Sequence, residues 1–181
     1  MKSLLSLVFG CFSLIQGLAQ DPTFEKGDKV FNLGLGFGSS YYTGSDYKTQ
    51  IPLLSAGFGI CVKDGVINNG SIGIDVLLGF SKHQAGDSYG GYKYTDILVG
   101  SRGTLHYPLV DKLDTYTGMM LGFNFSNSET YGNFAIDYPT YEGPVFSWFV
   151  GGRYYFSEKF AAMAEVGVGL VYLNLGGTFK F

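Results

Sequence analysis

The side chains best suited to chemistry are four charges set in glycine-rich, otherwise uncharged surroundings: Asp75, Arg102, Arg153 and Glu165. Two cations and two anions of this kind suit mutual neutralisation where water is scarce, because an unpaired buried charge is heavily penalised. Arginine fits the task, since its planar fork reaches two carboxylates at once. Asp96, His106, Tyr116 and Tyr155 stand where they would extend the set. A second group, Ser81, His83, Asp87 and Ser88, has the residue types of a nucleophile, a base and an acid. A histidine among serines in a polar stretch is more often plain surface. No phosphate loop, metal-ligand spacing or nucleophile elbow appears elsewhere, so no cofactor or metal is expected.

The elements that would hold these charges are strands. After residue 20 no useful helical period appears, while apolar and small or polar residues alternate with period 2 again and again. In Lys29 to Gly38, Phe31, Leu33, Leu35 and Phe37 lie opposite Asn32, Gly34, Gly36 and Gly38. The same pattern recurs in Ile51–Val62, Ile72–Ser81, Tyr94–Tyr107, Thr115–Ser126, Val145–Phe156, Phe160–Tyr172 and Leu173–Phe181. That makes eight expected strands of roughly ten residues each. Their connections alternate in length. Ser39–Gln50, Lys82–Gly91 and Asn127–Gly143 are long and polar, whereas Lys63–Gly70, Pro108–Asp114 and Ser157–Lys159 are shorter. Asp64-Gly65 and Asn69-Gly70 are turn signals, and a very short last connection is expected near Tyr172–Asn174.

Composition decides which face is inside. The 181 residues suit one domain, and 12 basic against 15 acidic residues leave a net charge of −3, with no footprint for nucleic acid. Charged residues make up 15% of the chain, against roughly 25% in average soluble proteins. A soluble barrel of the lipocalin kind would bury the bulky rows and wet the others. The other rows, however, are glycine, serine and asparagine, with few of the lysines and glutamates a soluble surface uses. An eight-stranded interior also has little room for every large side chain. With the faces reversed, bulky residues meet lipid, glycines leave space for a few long polar chains, and closure pairs every backbone group as hydrocarbon demands. The aromatic residues agree. Phe37, Phe80, Phe125, Phe146, Trp148 and Tyr172 fall near one end of the lipid-facing rows. Phe31, Tyr107, Tyr154, Phe156, Phe160, Phe179 and Phe181 fall near the other, giving the two bands that membrane interfaces select.

Residues 1–19 read as a signal peptide: Lys2, an apolar run from Leu4 to Ile15, then Gly17-Leu18-Ala19 with cleavage after Ala19. The run is well short of the ~20 residues of a spanning helix. A lipoprotein signal at Cys11 is poorly matched by Val8-Phe9-Gly10. Residues 20–181 then form the barrel, with Cys61 its single thiol, unable to make a disulfide, zinc cluster or redox pair and expected to face inward as a small residue.

Leu105-His106-Tyr107-Pro108 through Lys112-Leu113-Asp114-Thr115-Tyr116-Thr117-Gly118 resembles the fourth-to-fifth strand turn of small Gram-negative outer-membrane β-barrel domain proteins. Gly151-Gly152-Arg153-Tyr154-Tyr155-Phe156 and Ala164-Glu165-Val166-Gly167 resemble that family's sixth and seventh strands. The final Gly177-Thr178-Phe179-Lys180-Phe181 is similar to the signal read by the barrel-assembly machinery, with Phe179 and Phe181 as its aromatic residues. The resemblance implies an all-β, eight-stranded up-and-down transmembrane barrel of the OmpA/OmpX-like kind in the outer membrane. It also implies lipid and lipopolysaccharide around the barrel, and periplasmic chaperones during biogenesis. Activity it leaves open. A non-enzymatic structural or surface role with a lumen plugged by the ion-pair set is the leading expectation. A small gated channel is the alternative, as is an adhesin or ligand-binding barrel presenting Tyr41, Tyr42, Tyr131, Tyr138 and Tyr141, together with Tyr47, Tyr89 and Phe134, on its outer loops. Similar barrels that modify lipid A make an enzyme centred on Ser81 and His83 a lesser one.

Overall fold

The computed structural model describes residues 23–43, 46–67, 69–132 and 140–181. The expected signal peptide and two of the loop aromatics, Phe134 and Tyr138, lie outside them. Eight strands run in order: β1 (Lys29–Ser39), β2 (Tyr47–Val66), β3 (Gly70–Gly86), β4 (Gly90–Val110), β5 (Leu113–Gly132), β6 (Gly143–Tyr155), β7 (Phe160–Val168) and β8 (Val171–Lys180). Each pairs antiparallel with its neighbour, and β1 with β8, so the sheet closes on itself. No helix occurs among the described residues.

Alternation sets the two faces as expected. Leu121 and Phe125 on the outside are 66% and 51% exposed, while Val30 and Arg153 on the inside are 0% and 1% exposed. Cys61 points inward and is buried. Two glycines let the seam close. Gly34 faces Gly176 across β1 and β8, and a Cβ on Gly176 would strike the Leu33 carbonyl. Below the seam, Lys29 and Phe181 exchange backbone hydrogen bonds of 3.2 and 3.0 Å.

The strands are taller than the hydrophobic pattern announces. Much of the expected loop Lys82–Gly91 is strand, leaving only Asp87–Tyr89, where the Asp87 carboxylate accepts from the Tyr89 and Gly90 amides at 2.9 and 3.3 Å. Residues 127–132 extend β5, and the expected turn Pro108–Asp114 contracts to Asp111-Lys112, with Val110 opposite Leu113. Asp64-Gly65 belongs to β2, where the register shifts between Lys63 and Val66 mark an irregularity instead of the turn. The last connection is Gly169-Leu170, a few residues before its expected place. The cause is common to the tall strands. Beyond Phe80 and Ile97 the outward side chains turn polar, as at Lys82, Gln84, Lys93 and Thr95, so apolar alternation fades while His83, Ala85 and Tyr94 keep the inward face buried.

The barrel is lopsided in consequence. Strands β2 to β5 have 20, 17, 21 and 20 residues, against 13, 9, 10 and 11 for β6, β7, β8 and β1. They rise as a wall on one side of the loop end. At the opposite, terminal end the segment before β1 folds back into the mouth. Phe24 is buried against Val30 and Cys61, and Gly27 donates to the Cys61 carbonyl at 3.0 Å. Lys180 Nζ holds the segment through the Thr23 carbonyl at 3.2 Å and Asp28 at 3.3 Å.

The lumen as candidate functional site

Inward positions on β3, β4, β5, β6 and β7 bring the expected charges into one column above Phe24. Arg102 Nη2 meets Glu165 Oε1 at 2.5 Å, both side chains buried. Glu165 also accepts from Tyr116 Oη at 2.9 Å and Asn174 Nδ2 at 3.0 Å, so its lone pairs are well used. The Arg102 guanidinium lies 3.8 Å over the Phe149 ring, an added cation–π contact. Arg153 pairs with Asp114, Nη1 to Oδ2 at 3.2 Å, and spreads over the Tyr116 ring at 4.6 Å. His106 joins Asp114 through Nδ1 at 2.8 Å and Thr104 through Nε2 at 2.9 Å, with the Phe24 ring tilted against its own at 4.5 Å.

The pairing differs in one respect from a closed set of four. Arg153 takes Asp114 as its partner, a carboxylate that reads in sequence as part of a turn. Asp75, directly across from Arg102 in register, accepts from Thr104 at 3.4 Å and forms no ion pair among those recorded for the described residues. His106 and Tyr116 do extend the network. Tyr155 does not: its buried hydroxyl has no hydrogen-bond partner, and Lys180 sits 5.5 Å over its ring. Asp96 lies toward the loop end, in a different group.

Above the Arg102–Glu165 pair a small cavity is bounded below by Arg102, Phe149 and Glu165 and above by Leu53, Leu170 and Val171. The same three upper side chains form the floor of a second small chamber, partly open to solvent, with Tyr41, Tyr42, His83, Asp96 and Asn124 in its wall. Asp96 Oδ1 accepts from Tyr42 Oη at 2.9 Å and Asn124 Nδ2 at 3.0 Å. Tyr42 stacks on His83 at 4.1 Å and meets Tyr141 edge-on at 5.0 Å. Burial holds the Tyr42 phenol well above its usual range, so it keeps the proton it donates. Burial also pushes the His83 imidazole below its ordinary value, against the pull of Asp96.

Three of the loop tyrosines turn inward: Tyr41 and Tyr42 both pack on Tyr141. Tyr131 lies on the outward face, where it bonds Gln84 at 2.6 Å and the Asp87 carbonyl at 2.9 Å. Among the described loop tyrosines, Tyr89 is the most exposed, at 84%. Ser81 and His83 likewise face the lumen and not the lipid side, and Asp87 is engaged in its turn. Among the described residues, no group of three or more His, Cys, Asp and Glu is placed to hold a metal ion.

Two features were not legible beforehand. Asp114 sits beside a hairpin turn, where an acidic residue looks like solvent-facing punctuation. Phe24 precedes the first strand, with no periodicity to mark it as buried.

An inside-out polarity on a closed up-and-down sheet defines the class: an eight-stranded antiparallel barrel with an apolar exterior and an ionic core. No family model matches the chain, and no curated protein matches it. Solved structures do. The outer membrane protein OprG from Pseudomonas aeruginosa superposes with a TM-score of 0.55 at 10% identity, over 89% of this chain and 99% of that one, and shares the fold. De novo designed transmembrane β-barrels align at 0.49 and 18% identity, over 91% and 100% of the two chains. Ail from Yersinia pestis, in a nanodisc, aligns at 0.48 and 11%, over 86% and 100%.

Proposed function

We propose that this protein is an outer-membrane barrel whose lumen is closed by its own side chains, with a non-enzymatic structural or surface role. One observation supports this above the rest: the large apolar side chains are outside and Arg102, Arg153, Asp114 and Glu165 are inside. Such an exterior is costly in water and favourable in hydrocarbon. Lipid and lipopolysaccharide are then its surroundings, and Phe179 and Phe181 its signal to the assembly machinery. The ion pairs and Phe24 serve as the barrier. After membrane fractionation the protein should need detergent to stay dissolved and should migrate faster on gels before boiling than after. In planar bilayers the wild type should give no steady conductance, and Arg102→Ala should gain some. Steady wild-type conductance would favour a gated channel instead.

A surface-interaction role has its own support. Above Leu53 and Asn124 the tall strands β2 and β5 lose their partners β1 and β6 among the described residues, leaving a four-stranded wall with open edges. Unpaired edges invite another strand. Removing residues 133–142 should then weaken surface adhesion; unchanged adhesion leaves the scaffold role alone. An enzyme reading through Ser81 and His83 has less support, since both face the lumen. Mass spectrometry of lipid A with and without the gene should show no difference.

A further inference from the structure

Among the described residues, Asp96 has donors on one carboxylate oxygen while its other oxygen is buried with none. Oδ1 takes Tyr42 and Asn124, while Oδ2 is buried without a hydrogen-bond partner, and the residue as a whole is 3% exposed. No ion pair to Asp96 occurs among the described residues. The lysines of the upper β3 and β4 look elsewhere: Lys82 Nζ lies over the outward Phe80 ring and Lys93 Nζ over Tyr131. Residues 44–45 and 133–139 contain no lysine or arginine. His83 is held toward its neutral form by burial and offers no compensating charge. A buried carboxylate in this state is strongly disfavoured unless something positive joins it.

The walls around Asp96 fit a particular kind of cation. Tyr41 and Tyr42 supply aromatic rings, which attract a diffuse positive charge. Ser81 and Thr49, both in the wall, supply hydroxyl oxygens that accept from N–H groups. A calcium ion would want six to eight oxygens, and a single carboxylate among aromatic rings is far short of that set. The chamber is small, of a size for a ligand of a few heavy atoms, and its mouth opens to water at the loop end.

We propose that the loop-end chamber is a binding site for a small protonated amine, with Asp96 as its counter-ion and Tyr41 and Tyr42 as its ring walls. The amine's N–H groups donate to Asp96 Oδ2, and its carbon skeleton lies against the rings above Leu53 and Leu170. Neither the ion pairs below nor the closure of the barrel changes on binding, because the chamber floor separates them.

The test uses the full folded barrel in an uncharged detergent, titrated by calorimetry with ethanolamine, with choline as the fully methylated analogue and acetate as the anionic control. Ethanolamine should bind with a Kd of about a millimolar. Asp96→Asn should weaken it at least about tenfold, since a charge-assisted hydrogen bond is lost. Choline should bind more weakly than ethanolamine, having no N–H to donate, and acetate not at all. In wild type, the Asp96 carboxyl ¹³C resonance should shift on titration with ethanolamine; this readout stands even if Asp96→Asn does not fold. An unmoved Asp96 resonance at saturating amine, or equal affinity in wild type and a folded Asp96→Asn, would overturn the proposal.

Discussion

At the terminal end of the lumen, polar side chains are packed, paired and capped; at the loop end, they line an open chamber around one carboxylate that has no cation. The same strands build both ends, with the same inward alternation. Below, Arg102 meets Glu165, Arg153 and His106 share Asp114, and Phe24 seals the mouth. Above, Tyr42, Asn124 and Asp96 hold one another beside empty space. The difference teaches that pleat geometry decides only which residues face inward. Whether they close the channel depends on charge balance at each level.

The contrast is most easily broken at its ion pairs. Asp114→Ala strands both Arg153 and His106, so the free energy of unfolding in urea, followed by the single tryptophan Trp148, should fall by about 3–5 kcal/mol. Asp96→Asn keeps an acceptor for Tyr42 and Asn124 and should change it by less than about 1 kcal/mol. Equal losses would erase the distinction between the two ends. Next in size is the cap. Phe24→Ala should raise amide exchange at Gly27 and Cys61 about a hundredfold while leaving the middle of β4 protected, since the segment opens locally. Uniform acceleration would mean that the cap is part of one cooperative unit.

A smaller effect tests the terminal-end hairpin. Lys112 adopts φ 63°, a left-handed conformation that a residue with a Cβ disfavours. Lys112→Gly should therefore stabilise the barrel by about 1 kcal/mol, seen as a higher Tm. The loop end already places Gly169 at its positive-φ turn, with φ 94°. The smallest effect is a pH dependence at the loop end. His83 resists protonation in the folded chain, whereas the unfolded chain takes up the proton near the ordinary histidine value of about 6.5. The unfolded state then binds more protons, so stability is intact above that value and falls as pH drops below it. His83→Gln should flatten this slope in urea titrations between neutral and mildly acidic pH.

The strand cores were readable from sequence because lipid-facing and lumen-facing residues differ so sharply there: Ile74, Val76 and Leu78 against Gly73, Asp75 and Gly79. Strand heights were not, because above Phe80 both faces carry polar groups and only burial distinguishes them. The β7–β8 turn was misplaced by a few residues because the run from Val166 to Leu175 keeps alternating through it, with a positive φ at Gly169 as the only break. Among the site residues, Arg102, Arg153 and Glu165 stood out as isolated charges in strand interiors. Asp114 was hidden beside a turn, and the inward swing of Tyr41 and Tyr42 depends on contacts with β3, β4 and Tyr141 that no local pattern encodes.

Cys61 lies in the barrel wall beneath Phe24, 1% exposed, with its sulfur 3.8 Å from the Phe24 carbonyl. It is the only cysteine among the described residues. A thiol-reactive dye too large to pass the ion pairs from above can reach it only from the terminal side, and only while the cap is away. The native chain thus contains its own clock for cap opening: the rate at which one sulfur is alkylated counts the excursions of one phenyl ring.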